Sequence, residues 1–257
     1  MPGAAGPPSA PQEDGESPAS ARNGHLAGRL ALITGASRGI GAAVARRFAE
    51  EGAQLVLLAR TTGALEEVDD EIRAAGAPRA TLVPLDLRDF DALDRLGASL
   101  YERHGKLDVL VGNAGVLGQV SPLGHIPPQV WQEVMDVNVT ANYRLIRSLD
   151  ALLRQSDAGR AIFVTSGVAS AVFPYFGAYA ASKAALEMMV RTWAGELNKT
   201  KVRANLLDPG VLRTRMRAQA FPGEDPESLP PPESVADAFV DLALPACRRH
   251  GEVVRAY

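Results

Sequence analysis

A chain of 257 residues, 46% hydrophobic and 22% charged, has the composition of an ordinary globular protein. Its 27 Lys and Arg against 30 Asp and Glu leave a formal charge of −3, which argues against a nucleic-acid surface, where a basic stripe is expected. The single cysteine, Cys247, excludes an intramolecular disulfide and a cysteine zinc cluster and fits a reducing, cytoplasmic compartment. No apolar run reaches the roughly 18 residues that a membrane span requires.

Residues 1–25 hold five prolines and four glycines with scarcely any large apolar side chain, too little to offset the entropy of ordering. They are expected to be a disordered tail ahead of one domain covering 26–257. A secretory signal would need an apolar stretch, and Glu13, Asp14 and Glu16 speak against a transit peptide.

From Leu30 onward, short Val/Leu/Ile-rich runs alternate with longer segments of helical periodicity. The reading is strand 30–34, helix 40–51, strand 54–59, helix 63–75, strand 80–85, helix 89–104 and strand 109–112. It continues with helix 128–153, containing a break, strand 161–165, helix 178–198, strand 202–207, helix 233–242 and strand 252–255. The strands are apolar at consecutive positions, as in strands buried on both faces, so the prediction is a doubly wound (Rossmann) α/β fold: a seven-stranded parallel sheet with helices on both faces.

Between the first strand and helix stands Thr34-Gly35-Ala36-Ser37-Arg38-Gly39-Ile40-Gly41. Glycines there permit a tight turn and close backbone approach, and the N–H groups of the following helix can hold a pyrophosphate. About 20 residues further on, where an acid would take the ribose hydroxyls of NAD, the chain has Ala59 and Arg60. Arg60, with Arg38, instead suits a 2′-phosphate, which favours NADP(H) over NAD(H).

Tyr179 and Lys183 are four apart on a predicted helix, so both project from one face. An ammonium beside a phenol favours the phenolate and is expected to lower its pKa, making Tyr179 a usable proton donor and acceptor. Tyr175 has no lysine four residues on and is the weaker candidate. Ser166 follows the strand 161–165, at a strand end of the kind where such sheets place ligands; Thr165 and Ser170 are its alternatives. No histidine or acid accompanies Ser166 at nucleophile spacing. His25, His104, His125 and His250 stand in no ligand spacing and read as surface residues. Trp131, Trp193, Met188 and Met189 read as packing residues. Arg213, Arg215 and Arg217 read as a solvated basic helix face, or else as contacts for an anionic carrier or phosphate.

Taken together, Thr34-Gly35-(x)3-Gly39-x-Gly41, Asn113-Ala114-Gly115, Asn138, Ser166, Tyr179-(x)3-Lys183 and Pro209-Gly210 resemble, in order and spacing, the short-chain dehydrogenase/reductase family. The resemblance runs from Leu26 to the C-terminus and is nearest to the single-domain branch that includes 3-oxoacyl-acyl-carrier-protein reductases and bacterial oxidoreductases of unassigned substrate. It implies an NADP(H)-dependent enzyme interconverting a carbonyl and a secondary alcohol by hydride transfer, acting on a small molecule, as a homo-oligomer (tetramer or dimer). The alternative is a non-catalytic dinucleotide sensor or scaffold on the same fold.

By the same resemblance Tyr179 is the general acid/base, Lys183 binds the nicotinamide ribose, Ser166 bonds the substrate oxygen and Asn138 holds a relay water. Another possibility for Asn138 is a mid-helix polar side chain bonding its own backbone. Implied cofactor contacts are Gly35, Ser37, Arg38, Gly39, Ile40, Gly41, Arg60, Asp86 facing the adenine, Leu87, Asn113, Ala114, Gly115, Tyr179, Lys183, Pro209, Gly210 and Thr214. No metal site is implied. Gly112 departs from the family, which often has Asn there, and is expected to loosen the end of the fourth strand. The close C-terminus, 251–257, leaves the usual C-terminal subunit contacts in question.

Overall fold

Strand β1 (Leu30–Thr34) shows why the sheet is a two-sided one: Ala31 and Ile33 enter one apolar core while Leu30 and Leu32 enter the other. In the computed structural model, which describes residues 24–257, seven parallel strands form one sheet in the order β3-β2-β1-β4-β5-β6-β7. The others are β2 (Gln54–Ala59), β3 (Thr81–Pro84), β4 (Val109–Gly112), β5 (Arg160–Val164), β6 (Arg203–Asp208) and β7 (Val253–Arg255). Helices α1 (Gly39–Glu50), α2 (Thr62–Ala74) and α8 (Ala236–Ala243) cover one face. Helices α3 (Phe90–His104), α5 (Ala141–Gln155) and α6 (Gly177–Glu196) cover the other. The strand order reverses between β1 and β4, and the crevice outside their C-terminal ends is where such sheets bind ligands.

Several expectations shift. The edge strands β3 and β7 are only partly buried, since each has a sheet neighbour on one side alone. The segment 128–153 does not break: α4 (Pro128–Met135) runs through a single π-helical stretch, Asp136–Thr140, straight into α5. The wider turn rotates the register and turns Val137 and Asn138 inward, where both are buried. The last helix begins later than expected, after a 3₁₀ turn at Pro232–Val235. A short α7 (Arg215–Ala220) follows β6.

Gly24 and His25 belong with the folded part and not with the tail. The His25 backbone N–H donates to Glu51 Oε2 at 2.7 Å, its Nδ1 lies 2.8 Å from the same oxygen, and the Leu26 N–H donates to the Glu51 carbonyl. Burial pushes the Glu51 carboxyl up, but hydrogen bonds from His25 and Arg47 prevail and hold it at about 2. The rest of the expected tail, residues 1–23, lies outside the described residues.

Gly112 does not loosen β4. It pairs in register with Phe163, whose ring fills the space a side chain would take: a Cβ at 112 would stand 2.7 Å from Phe163 Cε1 and 2.9 Å from Asn142 Oδ1. Gly112→Ala is therefore expected to destabilise the protein by about 1–3 kcal/mol, read as a lower urea midpoint at unchanged slope.

Candidate active site

The C-terminal ends of β1 and β4 are locked together. Thr34 Oγ1 accepts the N–H groups of Asn113 and Ala114 at 3.0 and 3.1 Å, and Asn113 Nδ2 donates to the carbonyls of Thr34 and Gly35 at 2.9 and 3.3 Å. Gly35 adopts a φ of 65°, and a Cβ at Gly41 would stand 2.6 Å from Asn113 Nδ2, so the turn is built for glycine at both places. Behind it α1 starts with an extended Arg38 and no side-chain cap, which leaves its first N–H groups open to an anion. Arg38 and Arg60 are exposed and neither forms a salt bridge among the described residues.

Ser37 and Ile40 flank the turn half-buried, and Thr214, which caps α7 through the Arg217 N–H, brings its methyl to 3.9 Å from where a Gly39 Cβ would lie. Asp86 does not stand free. Arg88 grips it through Nε at 3.2 Å, Nη2 at 2.8 Å and the backbone N–H, which holds its carboxyl below the usual range. Leu87 points into the core. The Pro209-Gly210 turn is pinned by the Gly210 N–H on Asp208 Oδ1 at 3.1 Å and covered by the ring of Tyr257, which donates to Asp208 Oδ2 at 3.3 Å. So Tyr257 packs on this turn.

At the end of β5 the structure separates the three hydroxyl candidates. Thr165 is buried and donates to Glu187 Oε1 at 2.7 Å, and Ser170 is exposed, while the Ser166 hydroxyl stands beside the Tyr179 phenol on the first turn of α6 and favours its ionised form. Tyr175 is exposed with a positive φ of 73°, outside the helix. Lys183 is 2% exposed, donates to the Val164 carbonyl at 2.7 Å and lies 5.7 Å from the Tyr179 ring centre.

The expectation that Lys183 lowers the Tyr179 pKa fails in this state. Burial pushes the phenol up to about 12, the Ser166 hydrogen bond opposes this, and the buried Asp208 carboxylate adds to the rise. Lys183 is itself brought down to about 8 by burial, with Glu187 pulling the other way. Lys183 gives up its proton at about 8, well before the phenol ionises, so it is neutral where Tyr179 titrates and lends the phenolate no charge.

Asn138 does not bond its own helix through its side chain. Its Oδ1 accepts the Val116 N–H and its Nδ2 donates to the Val116 carbonyl and to Ser182 Oγ, all at 2.9 Å, which ties the β4 loop to α6. A Cβ at Gly115 would lie 3.3 Å from Asn138 Oδ1 and 3.6 Å from Lys183 Nζ, so the absent side chain leaves a gap between the two.

Sequence reasoning passed over Glu187, Asp208 and Arg88. Glu187 carried a signal, being four residues after Lys183 on the same helical face; Asp208 carried one as an acid ending a buried strand.

The remaining readings divide. His250 and His104 are half-buried, not surface residues: His250 accepts the Ala204 N–H and bonds the Ala194 carbonyl. Trp193 packs edge-on to Phe163, whereas Trp131 and Met188 are exposed at 37% and 63%. Arg213 pairs with Glu227, and Arg217 pairs with Glu224 while lying over the Phe221 ring, so acids of the same loop already neutralise both. Among the described residues no group of acids, His and Cys could hold a metal, and no helix is long and apolar enough to cross a membrane.

The glycine turn follows β1 and Ser166 follows β5, both at the C-terminal edge of one sheet, and comparison with known proteins places the chain among oxidoreductases. The short chain dehydrogenase family model matches residues 29–225. The uncharacterised oxidoreductase YciK of Escherichia coli K12 is 39% identical over 223 residues, covering 86% of this chain and 88% of that one. An uncharacterised NAD-dependent oxidoreductase of Mycobacterium tuberculosis (strain CDC 1551 / Oshkosh) is 36% identical over 210 residues, covering 77% and 76%. A short-chain dehydrogenase from E. coli CFT073, solved in complex with NADPH, superposes with a TM-score of 0.87 at 38% identity, covering 90% of this chain and 97% of that one. The chain belongs to the short-chain dehydrogenase/reductase family of oxidoreductases.

Proposed function

We propose that this chain is an NADP(H)-dependent oxidoreductase that interconverts a carbonyl and a secondary alcohol, chiefly as a reductase, with Tyr179 as the general acid/base. The observation that carries the reading is the Ser166–Tyr179 hydroxyl pair, with Lys183 buried behind it, opening onto the same crevice as the glycine turn.

The residues present fit the cofactor. The open first turn of α1 suits a pyrophosphate, and two guanidiniums without salt bridges, Arg38 and Arg60, suit a 2′-phosphate. Asn113, Ala114, Gly115, Pro209, Gly210 and Thr214 wall the remaining cleft. When bound, the nicotinamide supplies or accepts the hydride. The chain's own residues do the rest. Ser166 orients the substrate oxygen, and Tyr179, protonated at neutral pH, donates its proton to that oxygen as the alcohol forms. Lys183 holds the ribose side, and Asn138, fixed to Val116 and Ser182, lies across Gly115 from Lys183 on the route by which a relay water would return a proton from solvent.

Aromatic and aliphatic side chains gather at the start of α6, the helix that carries Tyr179. Phe176 stacks on Phe221 with ring centres 5.9 Å apart, Phe173 meets Phe176 edge-on, and Leu123 packs at the start of α6. This favours a ketone, quinone or acyl substrate over a sugar carbonyl. The lone cysteine supports a cytoplasmic setting, and exposed Trp131, Tyr143 and Met188 on α4, α5 and α6 support a homo-oligomer.

The test is a titration with NADPH and NADH at fixed ionic strength, followed by nicotinamide fluorescence, and then a screen of apolar carbonyls. NADPH is expected to bind more tightly. The Arg38→Ala/Arg60→Ala variant is expected to lose about 10- to 100-fold in NADPH affinity and little in NADH affinity, the scale of charge-assisted hydrogen bonds. Equal binding of the two nucleotides to the wild type would overturn the cofactor choice.

A further inference from the structure

The opposite end of the sheet carries positive charge that nothing in the proposed reaction uses. Arg160 opens β5 and is 4% exposed. All five of its N–H groups go to backbone carbonyls: Nε to Leu244 at 3.0 Å, Nη1 to Gly159 and Lys201 at 2.7 and 3.2 Å, and Nη2 to Pro245 and Cys247 at 2.6 and 3.2 Å. No carboxylate is among its partners. A second buried guanidinium, Arg29, lies near enough to repel it, and Arg203 adds to that repulsion.

Against this floor opens a cavity of about 220 Å³, lined in part by Asp157, Arg160, Lys201, Arg203, Cys247 and Arg248. Four of those six side chains are cationic and one is anionic. Asp157 itself leans to Arg29, 4.0 Å away. Lys201 and Arg248 are exposed on the rim, and neither they nor Arg203 forms a salt bridge among the described residues. Arg203 spends Nη1 on the Thr200 and Val202 carbonyls, and its Nε and Nη2 have no hydrogen-bond partner among the described residues.

Asp157, an exposed acid 4.0 Å from Arg29, offsets these two buried guanidiniums only in part, and an anion held by the rim cations would add to it. The volume equals about seven water molecules at roughly 30 Å³ each, room for one tetrahedral oxyanion with part of its hydration but not for a dinucleotide. Lys201, Arg203 and Arg248 put three cations on its lining.

We propose that this basal pocket binds a small doubly charged oxyanion of the phosphate class, through Lys201, Arg203 and Arg248, with the buried Arg160 as its electrostatic floor. The site is separate from the crevice that holds Tyr179, at the other end of β5, and stands whether or not the reductase reading does.

Thermal unfolding of the full chain, measured with inorganic phosphate and with glycerol 3-phosphate at constant ionic strength, tests it. Both anions are expected to raise Tm saturably, by about 3–6 °C at ten times the dissociation constant. The tighter of the two identifies the source as free phosphate or as a phosphomonoester. Because Arg160 ties five carbonyls, its replacement risks misfolding; Lys201→Gln/Arg248→Gln, at two exposed positions, leaves that network intact. The proposal stands if this pair of changes weakens binding tenfold or more while Arg38→Ala/Arg60→Ala, in the cofactor crevice, leaves it unchanged. No saturable rise in the wild type, a rise kept by the Lys201/Arg248 variant, or a rise lost from the Arg38/Arg60 variant overturns it.

Discussion

Tyr179→Phe is expected to lower kcat/KM for carbonyl reduction by about 10²- to 10⁴-fold, the usual weight of a positioned proton donor. NADPH affinity should stay within about twofold, because the ring remains and only the hydroxyl is removed. The change spares the packing and leaves Ser166 in place. With the phenol at about 12, Tyr179 is protonated across the working pH range, so the reductive direction is expected to show no ionisation of Tyr179 between pH 6 and 9. The oxidative direction needs the phenolate, and its rate is expected to climb with pH through that whole interval. Initial-rate measurements in both directions, beside a fluorescence titration, check this. A Phe variant that keeps full turnover would take the proton donor away from Tyr179. A protein that binds NADPH tightly, yet turns over no carbonyl with Tyr179 in place, would instead be a dinucleotide sensor or scaffold.

How much of this was legible in the sequence depends on the range of the forces involved. The seven strands and their parallel pairing follow from local apolar runs and the helices between them, and the structure reproduces them to within a residue or two. The glycine turn was equally legible, since the conformation at Gly35 and the close approach at Gly41 are properties of a few adjacent residues. Readings that depended on distant neighbours fared differently. Gly112 looked like a weakness until Phe163, from the next strand, filled its place. The segment 128–153 was expected to contain a break, but it runs on through a π turn that carries the Asn138 carboxamide to Val116 and Ser182. Glu227 could not be foreseen as the partner of Arg213, because the loop between them sets that distance, whereas Arg88, two residues from Asp86, was a local signal passed over. The pKa of Tyr179 was misjudged for the same reason: spacing put an ammonium beside the phenol, but only the fold reveals how completely both are withdrawn from water.

Lys183 gives the other large effect, and here activity and stability are expected to move in opposite directions. Its ammonium is withdrawn from water, satisfied by the Val164 carbonyl at 2.7 Å and aided by Glu187, which is itself held by Thr165. Burial outweighs both and brings the folded-state pKa to about 8, against the ordinary 10.5. An unfolded chain therefore binds the proton more tightly than the folded one. The resulting penalty on folding is fully present below pH 8, shrinks between about 8 and 10.5, and is absent above, where both states are neutral. Lys183→Met removes that penalty and leaves the Val164 carbonyl without its donor, at about 1 kcal/mol. At pH 7 the variant is expected to be more stable than the wild type by on the order of 1–2 kcal/mol, an advantage that disappears by pH 10.5. Its carbonyl reduction is expected to fall at least about 100-fold, as for a site group that spends stability on function. Urea unfolding at pH 7 and pH 10.5, set beside turnover, decides the matter. A Met variant less stable than the wild type at pH 7 would mean that the ammonium supports the fold and is not strained by it.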